Sequence, residues 1–164
     1  MKYPKATTWR MFPVQLPSII LGHLFVFLTL ITGIGKQPHY QEGVICVYWR
    51  HWFDRRWGYS TTVGHGMGKA SWFSDKTWFH ERIHVWQYED ICLLGLVLGL
   101  ALMPWIGWIG ALIVWSTSGA LWLLPNFITG LIRFGGYVKP YDALYRYSGH
   151  ERHAYAETKA EYRA

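Results

Sequence analysis

The sequence predicts a mainly α-helical protein with a small β-strand or hairpin element and with helices that enter a membrane. Two stretches of the 164-residue chain are apolar and long enough to cross a bilayer. A third stretch, residues 44–52, is rich in the β-branched and aromatic residues that favour strands. Residues 78–90, which lie between the two apolar stretches, read WFHERIHVWQYED and have the spacing of an amphipathic helix.

Residues 1–34 form the first predicted unit, a basic tail followed by an N-terminal membrane anchor. Lys2, Lys5 and Arg10 lie in the tail, whereas residues 16–34 carry no formal charge. That run is long enough for a hydrocarbon core of ~30 Å. No small-x-small cleavage site follows it, so we interpret it as an uncleaved anchor rather than a signal peptide.

Residues 35–164 form the second predicted unit, which a membrane hairpin interrupts at about residues 91–132. Its first part predicts a strand over Val44–Trp52, followed by a glycine-rich hairpin or edge strand. A helix then begins near residue 77, with Ser74 or Asp75 as its N-cap.

The hairpin is predicted from the absence of charge between Ile91 and Ile132. This run is too long for one crossing and fits two. Residues 103–110, MPWIGWIG, supply the Pro and Gly that end helices and the Trp that favours the lipid–water interface. We therefore place the turn there, with a return helix over residues 110–132 that Pro125 bends.

The motif H-E-x-x-H occurs at residues 80–84. Two histidines four positions apart lie on one face of a helix, where both imidazoles can bind one Zn²⁺. Glu81 projects beside them and can take a proton from an activated water. A surface helix with two solvated histidines would show the same five residues.

The stretches HERIHVWQYE and HERHAYAE together resemble small bacterial and phage zincin-like metallopeptidases of the gluzincin type. The similarity covers about residues 60–90 and 145–158. It implies that His80 and His84 are zinc ligands, that Glu81 is the general base, and that Glu151 is the third ligand. The apolar hairpin departs from that family and is similar to integral-membrane metallopeptidases. In zincins an edge strand precedes the motif helix and holds the substrate in extended form.

Several side chains near Glu151 are alternative candidates for the third metal ligand or for an accessory role. His150, His153 and Glu157 are also metal-binding residue types and are close in sequence to Glu151. Tyr147 and Tyr155 are accessory candidates that could polarise an oxyanion, although interfacial packing explains tyrosines equally well.

A shared metal site also predicts topology. If Glu151 meets the two histidines, residues 90 and 133 lie on the same membrane face, which a hairpin satisfies. The anchor then places the N-terminus on the opposite face. Membrane location is thus expected, in a bacterial or host inner membrane, and the positive-inside rule favours a cytoplasmic catalytic side.

These residues predict a membrane-associated zinc metallopeptidase that hydrolyses peptide bonds by metal-activated water. Its expected partners are the lipid bilayer and a peptide or membrane-protein substrate. The formal charge of +6 fits an anionic membrane surface, and we expect no nucleic acid partner. The alternative is a non-catalytic integral membrane protein with a structural or vestigial zinc site.

Overall fold

A computed structural model describes residues 12–57, 59–121 and 149–161. These ranges are mainly helical and contain one small sheet of four strands, which confirms the predicted class for this part of the chain. The helices are α1 (Phe12–Ile31), α2 (His51–Trp57), α3 (Asp75–Leu121) and α4 (Gly149–Glu161). The strands are β1 (Gly35–Gln41), β2 (Val44–Trp49), β3 (Thr61–Val63) and β4 (Gly66–Lys69).

The sheet is mixed, with the strand order β1-β2-β4-β3. β2 is antiparallel to β1 and parallel to β4, while β3 and β4 form the antiparallel hairpin that the glycine-rich segment predicted. β2 is shorter than predicted because the chain turns at Arg50, whose carbonyl accepts the amides of Phe53 and Asp54. Neither β1 nor α2 was predicted, since both lack a clear apolar period.

The two faces of the sheet are covered by different helices. Val44, Cys46 and Met67 form a buried cluster with Trp78 and Val85 of α3. On the other face α1 packs against the strands: the rings of Phe25 and Trp49 lie 6.2 Å apart, edge to face. The core is therefore a three-layer arrangement with the sheet in the middle.

The predicted anchor appears as α1, whose residues Val14–Ile31 are long and apolar enough to cross a membrane. The same helix is part of the fold. A Cβ on Gly22 would lie 2.3 Å from the backbone nitrogen of Gly66, so helix and strand approach backbone to backbone. Near its start, the carbonyl of Val14 accepts the indole N–H of Trp115. α1 thus contacts both the sheet and the hairpin.

The predicted hairpin is confirmed as far as Leu121. α3 breaks at Gly107, which has φ 69° and ψ 175°. The segments before and after the break pack together, since a Cβ on Gly99 would lie 2.7 Å from the carbonyl oxygen of Ala111. Trp105 and Trp108 stand beside the turn and are 78% and 69% exposed. The remaining return helix, with Pro125, lies outside the described residues.

A relay of two hydrogen bonds, both made by the buried His65 ring, joins three elements at the base of the hairpin. His65, in the turn between β3 and β4, is 1% exposed. Its Nε2 donates to the Glu89 carboxylate at 2.9 Å, and its Nδ1 accepts the Ser18 hydroxyl at 2.9 Å. The relay connects α1, the β3–β4 turn and α3, so it holds the sheet edge in place.

Replacement of His65 with Ala is expected to lower the free energy of unfolding by about 2–3 kcal/mol, because it leaves a partly buried carboxylate and a buried hydroxyl without their partner. The measurement is the denaturation midpoint of the protein in mild detergent. His51→Ala, at an exposed position on α2, is the control and should leave the midpoint unchanged. Equal midpoints for the two variants would contradict a stabilising relay.

Candidate metal site

The motif helix begins where the sequence indicated. The backbone amide of Thr77 donates to the Ser74 hydroxyl at 3.3 Å, so Ser74 is the N-cap and α3 begins at Asp75. One turn further on, His80 and His84 lie on the same face, with ring centroids 5.0 Å apart. Both are buried, because this face turns away from solvent and toward α4.

Glu151 of α4 meets both histidines. Its Oε2 lies 3.2 Å from Nε2 of His80, and its Oε1 lies 3.2 Å from Nε2 of His84. Glu151 is 4% exposed. One ligand atom from each residue lies within 4.8 Å of the other two, so this buried group could hold a metal ion.

The spacing fits the coordination shell of a small divalent ion. Two ligand atoms that are each ~2.0–2.1 Å from a tetrahedral ion are ~3.3 Å apart. Each imidazole nitrogen lies 3.2 Å from one oxygen of the carboxylate, His80 from Oε2 and His84 from Oε1, and this distance is close to that value. If the two histidines and Glu151 held such an ion, three protein ligands would leave it able to bind water or substrate.

Gln87 orients this ligand set and was not predicted from the sequence. His84 donates from Nδ1 to Oε1 of Gln87 at 2.9 Å, which directs Nε2 toward Glu151. The amide nitrogen of Gln87 donates to the carbonyl of His150 at 3.1 Å and lies 3.2 Å from Nδ1 of His153. Gln87 therefore links the second histidine to the helix that brings Glu151.

The other predicted ligands lie outside the group of three. His153 is exposed, and its Nε2 lies 3.9 Å from Oε1 of Glu157 on the same helix. His150 is half-buried and contacts the motif helix through its backbone carbonyl. The helical geometry explains this separation, since an α-helix turns by about 100° per residue and residues 150 and 153 therefore leave α4 in other directions than residue 151.

Glu81 lies beside the group of His80, His84 and Glu151 and has a hydrogen-bond partner of its own. The hydroxyl of Thr62, on β3, donates to Oε2 of Glu81 at 2.6 Å. Both side chains are buried. Sequence reasoning missed Thr62, since a single threonine in a strand is unremarkable until the strand is placed against α3. β3 ends the sheet order, so it is an edge strand beside the motif helix.

The carboxyl groups of Glu81 and Glu151 differ in their proton affinity. Burial raises the pKa of Glu81, although the nearby histidines and the Thr62 hydroxyl oppose this effect. Burial also acts on Glu151, but the hydrogen bonds from His80 and His84 outweigh it and lower its pKa to about 2. For His84, burial is outweighed by the bond to Glu151, so its pKa is raised. Glu151 therefore holds a proton less readily than an ordinary carboxyl group, and Glu81 holds one more readily.

A cavity of about 560 Å³ opens beside His80 and Glu81. Tyr155 stands at its rim, with its ring centroid 4.6 Å from that of His80. The predicted accessory residue Tyr155 therefore lies at the site, while Tyr147 falls outside the described residues. The cavity is lined by Tyr59, Ser60, Trp72, Lys76, Thr77, His80, Glu81, Tyr155, Thr158 and Lys159.

Comparison of the chain with protein-family models, with curated proteins and with solved structures finds no match. Any assignment of function therefore rests on the arrangement of the residues themselves.

Proposed function

We propose that this protein is a membrane-associated zinc metallopeptidase. The observation that carries the proposal is the convergence of His80, His84 and Glu151 next to a buried Glu81 at the wall of a cavity. Two imidazoles and one carboxylate are a ligand set that zinc accepts in hydrolases. The resemblance of the two motifs to gluzincins supports the same conclusion.

Each residue of the site has a definable task in peptide hydrolysis. His80, His84 and Glu151 would hold the zinc ion, which supplies Lewis-acid activation of water and of the substrate carbonyl. Glu81 accepts the proton of the attacking water and passes it to the leaving amine. Thr62 donates to Oε2 of Glu81, which leaves Oε1 available to take the proton. A peptide paired with the edge of β3 would lie across the site in extended form.

Attachment to a membrane is supported by the surface of the hairpin. The described part of α3 beyond Asp90 carries no charge. Many of its large apolar side chains are more than a third exposed, a pattern that suits lipid rather than water. They are Leu93, Leu94, Val97, Leu98, Leu100, Leu102, Met103, Trp105, Ile106, Trp108, Ile109, Leu112 and Ile113.

Removal of metal tests the proposal directly. We expect zinc-reconstituted protein in mild detergent to cleave members of a quenched fluorescent peptide library. Chelation should abolish this cleavage, and added Zn²⁺ should restore it, because the three ligands provide the only metal group found among the described residues. Cleavage that survives complete chelation, or no cleavage by protein that has bound zinc, would refute the proposed activity.

Replacement of Thr62 with Val should slow hydrolysis about tenfold, since Glu81 loses the hydrogen bond that orients it. The hydroxyl also favours the charged carboxylate, so its loss raises the pKa of Glu81 further. Because the base must be deprotonated, the acid limb of the pH–rate profile should move to higher pH. Thr61→Val, one position earlier on β3, is the control. An unchanged acid limb in Thr62→Val would contradict this role.

A further inference from the structure

We propose that the cavity selects peptides that carry a carboxylate, which Lys76 and Lys159 bind. This inference rests on the proposed peptidase function and adds the class of substrate. The two lysines come from different elements, one from the first turn of α3 and the other from α4, yet both line the same cavity.

The charge of the cavity wall favours an anion. Among its lining residues the only carboxyl group is Glu81, which is buried and already accepts the Thr62 hydroxyl. Both lysines are exposed, and they line the cavity from two different helices. A carboxylate in the cavity would therefore meet positive charge from both lysines.

The aromatic residues that line the cavity favour an apolar group beside that carboxylate. Tyr59, Trp72 and Tyr155 line the cavity, and Trp72 and Tyr155 are 54% and 57% exposed. Exposed aromatic rings provide apolar contact area at a low cost in conformational entropy. A volume of about 560 Å³ lies within the range of small-ligand pockets and suits a short peptide segment. The occupant is thus a peptide segment with an apolar residue close to a carboxylate.

This carboxylate has two chemical sources, an acidic side chain or the free C-terminus of a peptide. The experiment measures binding, so that it does not depend on turnover. Labelled hexapeptides with a central Phe are titrated into zinc-reconstituted Glu81→Gln protein in mild detergent, and fluorescence anisotropy is recorded. One pair differs by Glu against Gln beside the Phe, and a second pair differs by a free C-terminus against an amide.

We expect the charged member of one pair to bind about fivefold more tightly than its neutral partner, which is the scale of exposed ion pairs. The difference should shrink as salt is added. It should disappear when Lys76→Gln and Lys159→Gln are combined, and persist in Lys36→Gln, an exposed lysine on β1 outside the cavity. The pair in which the charged peptide binds more tightly than the neutral one identifies the source of the carboxylate.

Equal binding of charged and neutral peptides in both pairs would overturn this inference, as would a preference that survives loss of both lysines. Hydrolysis of the peptide library by the wild-type protein is scored separately. Hydrolysis without a preference for charged peptides refutes the inference and leaves the peptidase proposal in place. Preferential binding without hydrolysis supports the cavity as a carboxylate site and refutes the peptidase proposal.

Discussion

Replacement of Glu81 with Gln is expected to lower the rate of peptide hydrolysis by about a thousandfold, which is the scale of a lost general base. The change is nearly isosteric. The amide oxygen of Gln can still accept the Thr62 hydroxyl that Oε2 of Glu81 accepts at 2.6 Å, so the local packing should persist. The metal ligands are untouched, and the zinc content should stay equal to that of the wild-type protein.

The measurement combines the turnover of a cleaved library peptide with the zinc content of the same preparation. Glu157→Gln is the matched control, because Glu157 is a carboxylate on α4 outside the ligand group. A Glu81→Gln protein that keeps its turnover would remove the general base from the mechanism. If neither protein hydrolyses peptides while both bind zinc, the alternative of a structural site in a non-catalytic membrane protein is favoured.

Replacement of Glu151 with Ala should weaken zinc binding by at least about a hundredfold, because the effect of losing a direct ligand exceeds that of losing an outer hydrogen-bond partner. Glu151 approaches both histidines, with a carboxylate oxygen 3.2 Å from Nε2 of each. Its loss leaves two imidazoles, which hold the ion less well than a three-residue set. Zinc affinity can be measured by competition with a chromophoric chelator.

His153→Ala is the informative control for this prediction, since His153 was an alternative ligand on sequence grounds. We expect it to retain zinc, because its side chain is exposed and lies outside the group of three. The opposite result, with zinc lost in His153→Ala and kept in Glu151→Ala, would show that α4 binds the metal through His153 rather than Glu151. Thermal unfolding of both proteins with and without zinc would reveal whether the ion also supports the fold.

The position of α1 bears on how the protein meets a membrane. α1 is apolar enough to cross a bilayer, yet Gly22 packs against the backbone of β4 and Phe25 against Trp49 of β2. An α1 that crosses the hydrocarbon core would therefore bring part of the sheet to the same depth. The orientation of the chain, with the N-terminus on the opposite face and a cytoplasmic catalytic side, stays a prediction.

The pairing of α4 with the motif helix could be predicted only in part. The spacing of His80 and His84 follows from helix geometry, so both histidines could be assigned to one face from the sequence. For the third member of the group, the resemblance to gluzincins implied Glu151, but residue chemistry alone could not choose among residues 150, 151, 153 and 157. The rotation of α4 against α3 decides among them, and that rotation depends on packing between segments far apart in the chain.

The sequence by itself determined the features that depend on local order: the apolar runs of α1 and the hairpin, the turn near Gly107, the start of α3 at Ser74 and Asp75, and the motif face. These follow from periodicity, capping and the absence of charge, which act over a few residues. Only the tertiary structure decided that Glu151 completes the group, that Gln87 contacts His84 and Thr62 contacts Glu81, and that α1 covers the sheet. Those contacts join distant segments, and their geometry is set by burial and close packing of the whole core rather than by any local pattern.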